Sequence, residues 1–306
     1  MKLTFSMPHI MEIKAVLQPW ELTVAGPDQL RFAQRAEQLG YDMIAIPEHF
    51  AVPPSQHEHS GRFWFHSTVA QAAIAGATNR IRINSCVTIL PLQHPIAIAK
   101  ALATADWMSG GRITVTFGLG SIQQEYDYFG VPFRERGAIA DEYLEVILAL
   151  WTQDTASFEG KYVRFHDVGC DPKPVQKPHL PIWIGGDSDA ALRRAARYGS
   201  GWFISYRTEP KNIPARIDYI KSQPVWKDRP FEVMFGLGTS RLTTGHAPRN
   251  DPNVCAGMSA QEIIDQLSRY KELGVTMSSV PVPPMPDVAA YFDYSQWVIE
   301  EIKPNL

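Results

Sequence analysis

The stretch IRINSCVTILPLQHPIAIAKALATADWMSGGRITVTF, residues 81–117, decides the fold of this chain. Ile81–Leu90 is rich in β-branched residues and predicts a strand. Pro95 suits the first position of the helix that follows, and a glycine pair ends that helix. Arg112–Phe117 predicts the next strand. Because a crossover helix returns the chain to the edge where the first strand began, the two strands should pair in parallel.

The same alternation of strands and helices runs through the chain in both directions. It predicts eight strands, at Leu3–Met7, Asp42–Ile46, Ile81–Leu90, Arg112–Phe117, Pro181–Ile184, Trp202–Ser205, Phe231–Thr239 and Val275–Val282. Eight such units in 306 residues favour an α/β fold that is a single closed (β/α)8 TIM barrel over an open sheet, since such barrels take about 250 residues.

Residues 153–180 interrupt this rhythm with proline, glycine and charged residues. Phe158–Phe165 could form a small hairpin there. Since the alternation resumes at Pro181, we interpret the segment as an insertion into one domain of residues 1–306 and not as a domain boundary.

Capping residues predict where several helices begin and end. Gly40 suits the position after the first helix. Ser188 and Asp287 suit helix N-caps, and Ser259 with Glu262 three residues later forms a capping box. These signals agree with a helix after the first, fifth, seventh and eighth strands.

Composition limits the classes of partner. The formal net charge is −3, so no basic surplus indicates nucleic acid or an anionic membrane surface. The three cysteines, at positions 86, 170 and 255, are far apart and predict neither a disulfide framework nor a zinc site. No apolar run approaches the roughly 18 residues of a membrane span, and Leu3–Met7 reads as a strand instead of a signal peptide. We therefore expect a cytoplasmic protein.

Two long loops follow predicted strands and so should lie on the catalytic face of the barrel. They are residues 50–65, after the second strand, and residues 245–258, after the seventh. Each could be a lid or a plain surface loop. Phe63, Trp64 and Phe65 in the first loop could wall an apolar pocket, but packing of the loop itself is the favoured interpretation.

Glycines after the fourth and fifth strands are candidate cofactor contacts. Gly118-Leu119-Gly120 ends the fourth strand, but a dinucleotide fingerprint needs a third glycine where Gln123 stands. A glycine pair still lets the backbone approach a flat ligand closely. The run 185–188, Gly-Gly-Asp-Ser, precedes a helix whose amino end could bind phosphate. Arg193, Arg194 and Arg197 lie past the first turn of that helix and are interpreted as a solvated face.

Titratable residues after the second strand are candidate catalytic groups. Glu48 and His49 fall at its carboxyl end, where a barrel places side chains in its mouth. A histidine hydrogen-bonded for structure is the alternative. His57 and His59 flank Glu58 in the following loop, but no third ligand is near in sequence, so no metal is predicted.

Several segments together resemble the bacterial-luciferase-like family of flavin and deazaflavin oxidoreductases. They are Ala36–Asp42, Pro47–His49, Asn84–Pro91, Ser109–Arg112, Phe117–Gly120, Phe133–Gly137 with Glu142, Phe158–Tyr162, Pro178–Gly186 and Gly199–Trp202. Each segment is weak alone, but their order and spacing make a chance likeness improbable.

The resemblance implies a cofactor across the carboxyl ends of the strands. The chain is similar above all to shorter members, many of which use coenzyme F420, a 5-deazaflavin; flavin mononucleotide (FMN) is the alternative. The family has a non-proline cis peptide in a bulge of the third strand, here Cys86–Val87. It also implies that Gly185 and Gly186 hold the cofactor phosphate and that His49 lies beside the reactive ring.

These implications define the predicted site residues. The catalytic ones are His49 and Glu48, and no metal ligands are predicted. The cofactor-binding ones are Cys86, Val87, Thr88, Gly118, Gly120, Ser121, Gly185, Gly186 and Asp187.

The chain departs from the family at two positions. The residue before the histidine is usually Asp but is Glu48 here. Sugar-phosphate dehydrogenases of the family have a catalytic Glu after the fourth-strand glycines, where this chain has Ser121. The second departure argues against their reaction and predicts that His49 lacks its usual partner.

Three functions stay open at this point. The first is hydride transfer between F420 and a small, partly apolar organic substrate, with His49 handling the accompanying proton. The second is an FMN-dependent two-component monooxygenase that uses reduced flavin and oxygen. The third is a non-catalytic flavin-binding barrel. The expected partners are a small-molecule substrate, a separate cofactor-reducing enzyme and a second copy in a homodimer.

Overall fold

Eight parallel strands close into a barrel in the computed structural model, which describes residues 1–236 and 258–306. The strands are β1 (Lys2–Phe5), β2 (Met43–Ile46), β3 (Arg82–Ile89), β4 (Ile113–Gly118), β7 (Ile182–Gly185), β8 (Gly201–Phe203), β9 (Glu232–Met234) and β10 (Met277–Ser279). Their order around the barrel is β1-β10-β9-β8-β7-β4-β3-β2. The predicted (β/α)8 barrel is confirmed.

Helices surround the barrel, and the predicted caps are present. The α-helices of the described ranges are α1 (Gly26–Leu39), α2 (His57–Ser60), α3 (Ser67–Ala77), α4 (Pro95–Ser109), α5 (Gln123–Tyr128), α6 (Arg136–Thr152), α7 (Asp189–Tyr198), α8 (Ile213–Lys221), α9 (Ala260–Glu272) and α10 (Val288–Trp297). Gly40 is left-handed after α1, and the side chains of Ser188, Ser259 and Asp287 each accept an amide of the first helical turn. Within these ranges no helix has both the length and the apolar composition that crossing a bilayer requires.

The predicted insertion contains the predicted hairpin. Its strands, β5 (Ala156–Glu159) and β6 (Arg164–Val168), pair antiparallel outside the barrel. The turn between them is tied to α6, because the carboxylate of Glu142 accepts the backbone N–H groups of Lys161, Tyr162 and Val163 at 2.7–2.8 Å. Three amide donors on one carboxylate fix the hairpin against the barrel's outer layer.

Arg194 on α7 corrects one prediction. Its side chain is 9% exposed, and its guanidinium binds Asp141 of α6 at 2.5 and 3.1 Å and the carbonyl of Gly137 at 3.0 Å. Interpreting it as part of a solvated face was therefore wrong. Arg197 does lie on such a face, since its side chain is 57% exposed. A planar guanidinium bound bidentately by a carboxylate holds the two helices together.

The barrel interior is filled by side chains that alternate along the strands. Met43, Trp183, Met234 and Met277 form an apolar layer inside it. Below this layer Glu232 accepts both Arg82 (2.8 and 2.9 Å) and Lys2 (2.7 Å). Burial favours the neutral acid, but these two cations outweigh it and lower the pKa of Glu232. The amino-terminal end of the barrel is thus closed by these ion pairs, and the apolar layer lies directly above them.

Gly201 of β8 makes room for the indole of Trp183. A Cβ atom at Gly201 would lie 2.5 Å from ring atoms of that fully buried side chain. The indole cannot withdraw, because it is packed inside the closed barrel.

We therefore expect Gly201→Ala to destabilise the fold through overpacking. The free energy of unfolding should fall by about 1–3 kcal/mol, measured by urea denaturation. The matched control is Gly76→Ala on α3, where a Cβ would meet nothing within 4 Å. That change should stabilise by roughly 0.5–1 kcal/mol. Equal effects of the two substitutions would contradict the packing argument.

Candidate active site

The predicted site residues meet at the carboxyl ends of the barrel strands. His49 follows β2, Val87 lies in β3, Gly118 ends β4 and Gly185 ends β7. β2, β3, β4 and β7 are consecutive neighbours in the barrel. Side chains from sequence positions more than 130 residues apart are therefore brought to one side of the mouth.

His49 is held by a buried carboxylate. Its Nδ1 lies 2.9 Å from Oε2 of Glu125 on α5, and the two side chains are 11% and 1% exposed. The other oxygen of Glu125 accepts the backbone N–H groups of Phe50 (2.5 Å) and Ala51 (3.1 Å). The Trp64 ring packs on the imidazole in a T-shaped arrangement at a centroid distance of 4.6 Å. The imidazole is therefore fixed by a hydrogen bond and by ring packing.

The charge state of Glu125 sets the tautomer of His49. Burial favours the neutral acid, but the hydrogen bond and charge of His49 and the two amides outweigh it and lower the pKa of Glu125. The resulting carboxylate accepts only, so Nδ1 must donate to it. Within residues 1–236 and 258–306, Nε2 has no hydrogen-bond partner. This nitrogen can give or take a proton at the mouth.

The prediction that His49 lacks a carboxylate partner was wrong. Ser121 is exposed and stands where that partner was sought, while Glu125 lies four residues later. The helix that carries Glu125 has six residues and was not predicted. A helix this short shows too little apolar periodicity to be recognised. The available signal was an acidic residue beside a large aromatic one, Glu125-Tyr126, shortly after the glycines that end β4.

Glu48 occupies a different place from His49 although the two are adjacent. Its carboxylate has no exposed surface. It accepts the amide (3.0 Å) and hydroxyl (2.7 Å) of Ser67, the amide of Ile89 (3.2 Å) and the side-chain amide of Gln93 (3.0 Å). These contacts join the end of β2 to the start of α3 and the end of β3. A catalytic role for Glu48 stays a prediction, and its geometry is that of a positioning residue.

The bulge in β3 is confirmed. The Cys86–Val87 peptide bond is cis, and the pairing of β3 with β4 shifts register between Cys86 and Thr88. The side chain of Val87 lies between two glycines of neighbouring strands. A Cβ at Gly118 would be 2.6 Å from Val87 Cγ2, and one at Gly185 would be 2.7 Å from Val87 Cγ1. Both glycines are therefore needed to admit this side chain; that they also contact a cofactor stays a prediction.

The residues on either side of Val87 face opposite ways. The Sγ of Cys86 lies 2.9 Å from Asn84 Nδ2 and 3.4 Å from Thr116 Oγ1, and burial raises the pKa of this thiol to about 12. Cys86 is therefore an uncharged thiol. Thr88 is fully buried, and its hydroxyl donates to Ser85 Oγ at 2.7 Å. Any contact of Thr88 with a cofactor would be through its backbone.

The turn after β7 is held by its own hydrogen bonds. Gly186 has φ +112°, a left-handed conformation that favours glycine, and its amide donates to the Phe203 carbonyl at 3.2 Å. Asp187 Oδ1 accepts the Ser205 amide at 2.9 Å. A phosphate at this turn would therefore have to be bound by groups other than the Gly186 amide. Gly120, at φ +65°, needs glycine for the same conformational reason.

The loop of residues 50–65 packs onto the segment that follows β1. Met11 and Trp64 form a β-bridge, the Glu12 amide donates to the Phe63 carbonyl at 3.1 Å, and the Phe63 ring stacks on His9 at 4.6 Å. The interpretation that these aromatic residues pack the loop down is confirmed. The second predicted lid lies outside the described residues except for Met258.

The described ranges contain no group of three His, Cys, Asp or Glu side chains with the geometry of a metal site. His57, one of the two loop histidines, instead binds the Val52 carbonyl through Nε2 at 2.8 Å.

A parallel barrel with a His–Glu pair and a bulged cis peptide at the carboxyl ends of its strands defines the class of this protein, a luciferase-like barrel. Residues 14–240 match the family model described as luciferase-like monooxygenase, and the chain belongs to that family. The members of this family are oxidoreductases or monooxygenases. The resemblance seen in the sequence is confirmed.

Relatives in sequence include an uncharacterized protein of Mycobacterium tuberculosis (strain ATCC 25618 / H37Rv). It is 31% identical over 277 residues, which cover 85% of this chain and 90% of that protein. The FMNH2-dependent dimethylsulfone monooxygenase of Pseudomonas putida is 32% identical over 199 residues, 63% of this chain and 52% of that enzyme.

Two solved structures share the fold across 99% of this chain. The monooxygenase RslO1 from Streptomyces bottropensis superposes with a TM-score of 0.78 at 20% identity over 99% of its own chain. An F420-dependent secondary alcohol dehydrogenase, in complex with an F420–acetone adduct, gives 0.77 at 19% identity over 98% of its chain. At these identities the likeness concerns the fold alone.

The lowered pKa of Glu125 makes a pH-dependent prediction. Its contribution to stability is complete above the usual carboxyl pKa of 4.5 and is lost as the pH falls through the lower pKa of the folded state. The melting temperature of Glu125→Gln should therefore lie furthest below that of the native protein above about pH 5. The gap should close as the pH falls below 4.5.

Thermal melts between pH 3 and pH 8 measure this gap. Glu58→Gln, at an exposed position of the loop of residues 50–65 that Glu125 contacts, controls for the loss of one charge. A gap for Glu125→Gln that stays constant over the whole range would show that the carboxylate form of Glu125 is not what the fold uses.

Proposed function

We propose that the protein is an oxidoreductase that transfers a hydride between coenzyme F420 and a small, partly apolar organic substrate. The observation that carries this proposal is the His49–Glu125 pair beside the β3 bulge. Hydride transfer to or from a carbonyl or alcohol carbon requires one proton to move at the oxygen. A histidine with one nitrogen bound to a carboxylate and the other unbound suits that task.

The residues at the mouth fit a flat, uncharged ring. Cys86 and Val87 present a neutral thiol and an aliphatic side chain, and Gly118 and Gly185 keep the neighbouring strands close to them. The backbone of this bulge, with Gly120 and Ser121 after β4, would hold the ring. The turn at Gly185–Asp187 would lie toward the phosphate. When bound, the deazaflavin supplies or accepts the hydride.

The chain's own groups then have distinct tasks. Glu125 accepts from Nδ1 of His49 and stabilises the ring when it carries a second proton. Nε2 gives the proton to the substrate oxygen or takes it away. The loop of residues 50–65, packed down through Trp64, keeps water from the imidazole, whose side chain is only 11% exposed. An imidazole that is held in place and largely shielded from water suits proton transfer at the substrate oxygen.

The comparisons support this proposal without deciding the cofactor. An F420-dependent alcohol dehydrogenase shares the fold over nearly its whole chain. The FMNH2-dependent enzyme is matched over only 52% of its own length, so its cofactor is not carried over to this chain. A separate enzyme would renew the cofactor. The homodimer stays a prediction.

Titration of the purified protein with F420 and with FMN, each followed by fluorescence quenching, tests the cofactor. We expect F420 to bind the more tightly. A clear preference for FMN would overturn the deazaflavin assignment.

His49→Ala should separate chemistry from binding. Turnover should fall by roughly 10²–10⁴-fold, the usual contribution of a positioned acid or base. The dissociation constant of the cofactor should change little, because the imidazole is assigned to the substrate's proton. His166→Ala, on the exposed hairpin, is the matched control. Unchanged turnover of His49→Ala would remove the histidine from the mechanism.

A second function is favoured by one specific relative. The dimethylsulfone monooxygenase of Pseudomonas putida is described as FMNH2-dependent, and it is 32% identical over the matched region. This protein would then use reduced FMN and oxygen to oxygenate its substrate. Oxygen consumption with reduced FMN, in the presence and absence of candidate substrates, distinguishes the two functions. Substrate-dependent uptake with an oxygenated product would replace the hydride-transfer proposal.

A further inference from the structure

A cavity of about 240 Å³ lies at the carboxyl ends of β1 and β10, beside the mouth of the barrel. Its walls come from the segment after β1, from the residues after β10 and from α10. The residues that line it are Ser6, Met7, Pro8, Met11, Ile13, Val16, Gln18, Trp20, Glu21, Ser279, Val280, Pro281, Val282 and Tyr291. Ten of these fourteen side chains are aliphatic, aromatic or thioether groups.

The polar groups of the wall are occupied with one another. The Tyr291 hydroxyl donates to the Ser6 carbonyl. Gln18 donates to the Pro283 carbonyl at 2.9 Å, and its oxygen accepts the Trp20 indole N–H at 3.0 Å. The carboxylate of Glu21 accepts the backbone amides of His9 (2.8 Å) and Gln18 (3.0 Å). With these donors and acceptors satisfied, the cavity offers its interior an apolar surface.

Two serines stand where the cavity meets the mouth. Thr4 and Ser279 are register partners in β1 and β10. Phe5 packs outward on Tyr41 and Tyr291, and Ser6, the residue just after the end of β1, lines the cavity. Ser6 is exposed and Ser279 half-buried. We take these two serines, which line the cavity at the ends of β1 and β10, as its polar rim.

Two residues, Met11 and Trp64, link the cavity wall to His49. Met11 lines the cavity and forms the β-bridge with Trp64. The Trp64 ring packs on His49. The cavity therefore lies next to the part of the mouth that His49 and Trp64 border, with the Met11–Trp64 pairing between them.

We propose that this cavity binds the hydrocarbon part of a neutral alcohol or ketone of about ten carbons, whose oxygen lies at the rim of Ser6 and Ser279. The size follows from proportion: a cavity of about 150 Å³ accepts benzene, so 240 Å³ holds about ten carbons. The inference rests on the proposed function, because it names the substrate class of the same site.

The lining also excludes anions. Among the described residues that line the cavity there is no Lys, Arg or His, and Glu21 is an acid. A fatty carboxylate of the same length would bring a charge to this wall with no cation to pair it, and burying an unpaired charge is costly. A neutral oxygen needs only the two serine hydroxyls.

Isothermal titration calorimetry without any cofactor tests the cavity separately from the cofactor assignment. The probes are 2-butanone, 2-hexanone, 2-decanone and decanoate. Affinity for the ketones should rise about fourfold per added methylene, up to about ten carbons. Decanoate should bind at least tenfold more weakly than 2-decanone.

The variant Val16→Trp tests whether 2-decanone binds inside the cavity. Val16 is half-buried in the cavity wall, so an indole there should fill the space and reduce 2-decanone affinity by at least tenfold. Val282→Phe, from the opposite wall, is the second variant in case the first unfolds, and thermal melts verify both. The matched control is Val225→Trp, at a position 51% exposed and outside the lining.

Each outcome of these experiments either supports or overturns the cavity proposal. Chain-length-dependent binding that Val16→Trp or Val282→Phe removes and Val225→Trp keeps supports the proposal. No binding of 2-decanone, or binding that folded cavity variants leave intact, overturns it. If 2-decanone binds in the cavity while F420 does not bind at all, the proposed cofactor fails and the cavity stands. If F420 binds and 2-decanone does not, the proposed cofactor stands and the cavity proposal fails.

Discussion

The carboxylate of Glu48 holds together the end of the barrel that carries the candidate active site. It has no exposed surface, and it joins β2 to α3 through Ser67 and to the end of β3 through the Ile89 amide. Removing the carboxyl group would leave the buried amide and hydroxyl donors unsatisfied, so these contacts form or fail together. The end of β3 beside its bulge and the end of β2 before His49 are both tied to this one side chain.

Two neighbouring acids thus have separate tasks because their donors differ. Glu48 accepts backbone amides, a hydroxyl and a side-chain amide, and His66 Nδ1 lies 3.6 Å from its Oε2. Glu125 shares its carboxylate between two loop amides and the imidazole of His49. The first therefore fixes the strands, and the second fixes a group that can carry a proton. Glu48 therefore supports the strand ends next to which Glu125 orients His49.

The repeating parts of the fold could be predicted, and the irregular parts could not. Strand and helix alternation and the helix caps follow local rules, so the barrel and the cap at Ser188 were correctly predicted. The strand predicted at Val275–Val282 ends earlier, at Ser279, and Val280, Pro281 and Val282 leave the sheet and line the cavity. Glu125 was missed because its partner lies 76 residues away, and no local pattern encodes that contact.

Val87 of β3 fits between Gly118 of β4 and Gly185 of β7, so the residues that these three positions can accept depend on one another. A larger residue at either glycine collides with Val87, so it becomes acceptable only after the side chain at 87 has shrunk. The order of replacement matters, and the effects of single changes will not add. These three positions at the mouth of the barrel therefore change together in evolution or do not change.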